Sequence, residues 1–308
     1  MRVSFMVALL GLVGTAHAAT DLKVAIDNVR TNCAGISSEL SDLKKMAGIN
    51  TAVTAVGTFA GGVALGTGVA KANVDKEISE LEKKLKEKAE AEEEDGGVIK
   101  GLSTTTMDWY EQRLATLTKG GIEAPDLEKM VQKSKTLGHI RTGGLATASV
   151  SNIAGALMAK NNKVKGDLRE QIDACLTSVK LLSDSRMQAR LSGASDTELK
   201  RAEEIVRACE EWSTVDLGSI NSKAAQATFS SGFGAVTGLV GTAASVAANT
   251  EQVRTGEEKK EKTLNTVANV MAGGTTLASG AATVFNATQI KAIKRAATVA
   301  DQCEGALK

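Results

Sequence analysis

Apolar residues recur along this chain at helical spacing, and the recurrences carry its cysteines. Leu22, Ile26, Val29, Cys33, Ile36, Leu40, Leu43 and Ala47 alternate steps of four and three, a heptad seam on one helix face. Leu168, Ile172, Cys175, Val179 and Leu182 repeat that spacing, as do Ile293, Ala296, Ala300, Cys303 and Leu307. Cys209 shares a face with Ala202 and Val206, close to Trp212, in a helix predicted to start at the capping box Ser195-x-x-Glu198. Beyond Ala47 the first seam continues through Asn50, Thr54, Gly57, Gly61, Ala64 and Gly68, so its residues change from large to small.

That change marks the first of four stretches without a charge: Met46–Ala70, Thr142–Ala159, Ala224–Thr250 and Thr263–Ile290. Each lies beside one cysteine helix. The order is cysteine helix, uncharged stretch, insert, uncharged stretch, cysteine helix, and it occurs twice. Short matches accompany the order: Lys135-Thr136-Leu137 with Lys262-Thr263-Leu264, and Ile49-Asn50-Thr51 with Ile220-Asn221-Ser222. The expectation is an internal duplication, and an all-α fold of two tandem antiparallel long-helix hairpins. Residues 19–190 form the first unit, with a charged helical insert at 71–134, and residues 195–308 form the second. Antiparallel pairing brings Cys33 level with Cys175 and Cys209 level with Cys303, so each unit is expected to be pinned by one disulfide.

Disulfides require an oxidising compartment, and the N-terminus supplies a route to one. Met1-Arg2, the apolar run from Val3 to Thr15 and the small-x-small site Ala16-His17-Ala18 have the form of a cleavable export signal over residues 1–18. The whole chain carries 37 Lys+Arg and 36 Asp+Glu in 308 residues. Cleavage removes only Arg2 from these charges, which leaves 36 of each sign. Balanced charge argues against nucleic acid as a partner. Aromatic residues make up only 3% and there is one proline, Pro125, so an aromatic-packed core is excluded and helix is favoured throughout.

The uncharged stretches have two physical readings. Gly57/Gly61, Gly62/Gly66 and Gly234/Gly238 have the spacing that lets helix backbones approach closely, in water or in lipid. Each stretch is long enough to cross a membrane; the shortest, Thr142–Ala159, measures about 27 Å as helix. The first contains only seven strongly apolar residues: Ile49, Val53, Val56, Phe59, Val63, Leu65 and Val69. They contribute about −2 to −4 kcal/mol towards insertion, against penalties for polar residues. Asn50, Asn152, Asn249, Asn265 and Asn269 all lie in such stretches.

The insert is expected to begin with a charged helix over 71–95, with a narrow stripe of Ile78, Leu81 and Leu85. A second helix is expected at Thr105–Leu117, bearing Trp109 and Tyr110 as a candidate interaction patch. A third starts around Pro125-Asp126. The corresponding segment of the second unit, Glu251–Lys262, carries four acids and four bases and reads as a solvated hairpin tip.

Catalytic chemistry finds little support. His139 is the only histidine after the leader, no GxSxG or GxxxxGK[ST] pattern occurs, and bridged cysteines leave no thiol nucleophile. The acid run Glu92-Glu93-Glu94-Asp95 lacks the form of a calcium loop. The chain therefore reads as a non-enzymatic, exported cell-envelope protein without cofactor, metal or small-molecule substrate. It works by small-residue helix packing, against itself or another envelope protein. The alternative is a set of helical hairpins inserted in a membrane and assembling into a pore.

Overall fold

The computed structural model describes residues 21–94, 124–250 and 258–308. The leader at 1–18, the expected helix at Thr105–Leu117 and the Trp109/Tyr110 pair lie outside the described residues, as does most of the tip segment Glu251–Lys262. No strand occurs among the described residues. The elements are α1 (residues 21–33), α2 (Ile36–Glu94), α3 (Ala124–Asn161), α4 (Gly166–Leu191), α5 (Asp196–Glu210), a 3₁₀ turn (Glu211–Thr214), α6 (Leu217–Ala248) and α7 (Glu258–Ala306). Four of them, α2, α3, α6 and α7, are long.

Local chemistry sets the helix ends. Pro125 stands in the first turn of α3, where its missing N–H costs no helical bond. Ser195 caps α5, its hydroxyl accepting from the Glu198 N–H at 3.4 Å and donating to Glu198 Oε2 at 2.7 Å. Gly193, at φ +78°, closes α4 through the Ala194 N–H to the Ala189 carbonyl at 3.0 Å, a turn that needs the left-handed backbone. Gly35, at φ +84°, divides α1 from α2. The heptad seam predicted one unbroken helix here. A two-residue turn interrupts it, yet Cys33 and Ile36 on either side are both buried.

Two compact units form, each drawing on separated parts of the chain. The first comprises Met1–Ala52, Leu157–Thr228 and Val284–Lys308. Its core is conventional: Leu22, Val29, Ile36, Leu40, Leu168, Ile172, Leu182, Ile205, Trp212, Ile220 and Ile293 are buried together with all four cysteines. Disulfides join Cys33 to Cys175 and Cys209 to Cys303, the connectivity that level antiparallel helices give. Arg30 donates from Nε and Nη2 to the Leu307 carbonyl, which ties α1 to the C-terminal end of the chain.

The second unit comprises Val53–Ala156 and Phe229–Thr283, hence portions of the four long helices. Contacts within it give their directions. Gly57 approaches Ser151, and Gly144 approaches Ala60 and Ala64, so α2 and α3 are antiparallel. Gly61 meets Thr276 and Gly68 meets Asn269, which sets α7 antiparallel to α2 on another side. Gly234 meets Asn152 and Gly238 meets Ser149, and Thr237 pairs with Thr275, so α6 is antiparallel to α3 and to α7. This unit is a four-helix bundle. The charged part of α2 packs through Val74 and Ile78 on Val131 of α3, and Lys76–Glu80 and Lys83–Glu87 pair on its surface.

Candidate functional site

The interior of the four-helix bundle inverts the usual distribution of side chains. In the uncharged stretches within the second unit, Leu145 is the one large apolar side chain fully buried among the described residues. Its buried neighbours are alanines (Ala60, Ala64, Ala148, Ala272, Ala282) and polar groups (Thr54, Ser149, Asn152, Ser231, Ser245, Thr275, Ser279). The large apolar side chains point the other way. Phe59 is 75% exposed, Phe229 76% and Leu277 77%, and Val56, Val69, Val150, Phe233, Val236, Leu239, Val246 and Val270 are also exposed.

Several of the buried polar groups pair across helices, while Ser231 Oγ has no partner among the described residues. Asn152 and Ser279 exchange hydrogen bonds at 2.8 and 3.0 Å, and the hydroxyls of Thr237 and Thr275 lie 3.0 Å apart. Most hydroxyls also donate to a carbonyl four residues back in their own helix, among them Thr58, Thr67, Ser149, Thr242, Thr276 and Thr283. A hydroxyl bonded to its own helix needs neither water nor a partner helix, so it tolerates an apolar surrounding.

One end of the uncharged zone holds a buried charge cluster that the sequence did not disclose. Arg141 is fully buried and donates from Nε to Ser245 Oγ at 3.0 Å, from Nη1 to Asn269 Oδ1 at 3.2 Å and from Nη2 to Asn265 Oδ1 at 2.7 Å. Lys71, also buried, pairs with Asp75 at 2.5 Å and Glu261 at 3.5 Å, and Ser134 donates to the other Asp75 oxygen. Two cations and two carboxylates, supplied by three helices, balance in sign. In the sequence Arg141 and Lys71 merely border uncharged stretches, and nothing in their spacing marks them as buried. His139, two residues from Arg141, is exposed.

The glycines divide into two groups. Gly57, Gly61, Gly234 and Gly238 stand at close helix contacts, where a Cβ would meet Ser151, Thr276, Asn152 and Ser149 respectively. Gly62 and Gly66 do not. A Cβ at either meets nothing within 4 Å, because both turn away from the neighbouring helices, and the expected packing role is corrected accordingly. Close contacts occur instead at Gly68, Gly138, Gly144 and Gly241. Gly144→Ala is expected to destabilise by about 1–3 kcal/mol, since its Cβ would lie 2.8 Å from the Ala60 carbonyl oxygen and backbone cannot yield as a side chain tip does. Gly62→Ala and Gly66→Ala should instead stabilise by about 0.5–1 kcal/mol through helix propensity. Thermal melts followed by circular dichroism read these opposite signs.

The cysteines form a second cluster, in the first unit. The Sγ atoms of Cys33, Cys175 and Cys303 lie within 4.8 Å of one another, so the two disulfides are neighbours in the same apolar core. Trp109 and Tyr110, the candidate interaction pair, fall outside the described residues.

No family model, no curated protein and no solved structure matches this chain. Two spans, Asp21–Leu81 and Asp196–Ala248, each contain a helical stretch long and apolar enough to cross a membrane by length and composition.

Proposed function

We propose that this chain is a non-enzymatic structural protein of the cell envelope whose uncharged helix segments lie in a lipid bilayer. The observation that carries this reading is the inversion of the second unit, with phenylalanine, leucine and valine outward and paired asparagine, serine and threonine inward. In water that exterior is a large unpartnered apolar surface. In lipid it is the ordinary exterior, and the interior has what membrane helices use to associate: small residues at contacts and polar side chains bonded across helices. The asparagines that weighed against insertion in a one-dimensional count are turned inward, so their cost does not fall on the lipid face.

Chain order agrees with this reading. Helices α2 and α3 stand between Cys33 and Cys175, and α6 and α7 between Cys209 and Cys303. Each disulfide therefore encloses two of the long helices, and an exported protein meets the oxidising conditions that disulfides need. The long helices are thus read as two tandem hairpins, each closed by one disulfide. Leu145, the alanines and the paired amides fill the interior of the second unit, which favours a packed anchor or scaffold over a conduit through one chain. A pore in this reading requires several copies.

Alkaline carbonate extraction of membranes from expressing cells tests the assignment. The mature protein is expected to stay with the pellet. Complete release, together with a stable oligomer in detergent-free buffer, would return the chain to the water-soluble, self-associating reading.

A further inference from the structure

The proximity of the two disulfides has a chemical consequence independent of any membrane. Thiol–disulfide exchange needs an attacking sulfur close to a disulfide sulfur, and here Cys303 lies within 4.8 Å of both members of the Cys33–Cys175 bond. Cys209, its present partner, falls outside that trio. We propose that the four cysteines form one exchange-coupled redox unit in which Cys303 is the transferable sulfur. Opening one disulfide then changes which helices are covalently joined.

A dithiol reductant gives two electrons to the Cys209–Cys303 bond, which becomes two thiols as the dithiol closes to its own disulfide. Cys303 loses its proton and its thiolate attacks Cys33 or Cys175. One S–S bond forms to Cys303 and the Cys33–Cys175 bond breaks. The electron pair leaves on the displaced cysteine, which takes up a proton, so the second step changes no net oxidation state. Before exchange α1 is joined to α4 and α5 to α7; afterwards α7 is joined to α1 or to α4. All four cysteines are 0–1% exposed, so bulk thiols compete poorly with the internal sulfur once a bond is open. Only the thiolate attacks a disulfide, so exchange quickens with rising pH.

Peptide mapping of purified full-length protein tests this. Cleavage after Lys and Arg puts the cysteines on separate peptides: residues 31–44, 170–180, 208–223 and 296–308. In the folded Cys209→Ser variant, held at pH 8 and then quenched with acid and alkylated, peptide 296–308 should become linked to 31–44 or 170–180 over minutes to hours. The displaced cysteine should carry the alkyl group. Cys303→Ser, which frees Cys209 instead, should exchange several-fold more slowly. If Cys209→Ser shows only the 31–44/170–180 link with Cys303 fully alkylated, or if both variants exchange at one rate, the proposal fails. Should the variants lose their helical circular dichroism, wild-type protein opened by substoichiometric dithiothreitol decides. Single-disulfide molecules linked through Cys303 to Cys33 or Cys175 support the relay, and native links alone overturn it.

Discussion

Lysines introduced at Phe59 and Leu277 are expected to prevent stable membrane residence. The two side chains point outward from α2 and α7 and lie near the middles of their uncharged stretches, Met46–Ala70 and Thr263–Ile290. At the centre of a membrane helix each lysine costs about 2.5–3.5 kcal/mol, and together about 5–7 kcal/mol, which cancels the weak apolar gain of these segments. On a water-facing surface the same substitutions shift stability by about 0.5 kcal/mol or less each. The carbonate-resistant fraction of the Phe59→Lys/Leu277→Lys protein, compared with wild type, reads the difference. An unchanged membrane fraction means that these faces do not meet lipid.

Removal of the disulfides is the second large effect. The bridges span 142 and 94 residues, and the chain-entropy model assigns loops of that size about 5 and about 4.7 kcal/mol. Values approaching these rival the whole stability of an ordinary domain. The paired change Cys33→Ser/Cys175→Ser is preferable to a single one, since it leaves no thiol to attack the remaining bridge. It should shift the denaturation midpoint sharply downward, and reduction of the wild type should do the same. Midpoints followed by circular dichroism under oxidising and reducing conditions give both numbers. A change below about 1 kcal/mol would mean that the apolar core around the bridges, with Leu22, Ile36, Ile172 and Trp212, already restrains the unfolded chain.

The two effects are expected to respond differently to the surroundings. The lysine penalty arises from the solvent outside the helices and disappears in water. The disulfide contribution acts mainly on the unfolded chain and persists in either medium. Measuring both variants in bilayers and in mild detergent therefore separates a lipid-facing exterior from a stapled interior.

Helical seams were legible in one dimension because a helix repeats its environment every three or four residues. Leu22, Val29, Cys33, Ile36, Leu40 and Ala47 are buried, and so are their small-residue continuation Asn50, Thr54, Gly57, Gly61, Ala64 and Gly68. The seams around Cys175, Cys209 and Cys303 are buried as well. The turn at Gly35 leaves no mark on the apolar spacing, because a single left-handed glycine can redirect the chain and keep that spacing intact.

What the sequence by itself determined is helix, the cysteine seams and the four uncharged stretches, all of which follow from local spacing and composition. Only the tertiary structure decided which faces of those stretches turn inward. A face carrying Gly, Ala, Ser and Asn and a face carrying Val, Phe and Leu each have helical periodicity, and periodicity carries no sign. The choice comes from packing: four backbones approach closely through Gly57, Gly61, Gly144 and Gly234, where small residues leave room and the amides find partners. That choice sends the large side chains outward. It also encloses Arg141 with Asn265, Asn269 and Ser245, residues more than a hundred positions away in the chain and related to it only by the fold.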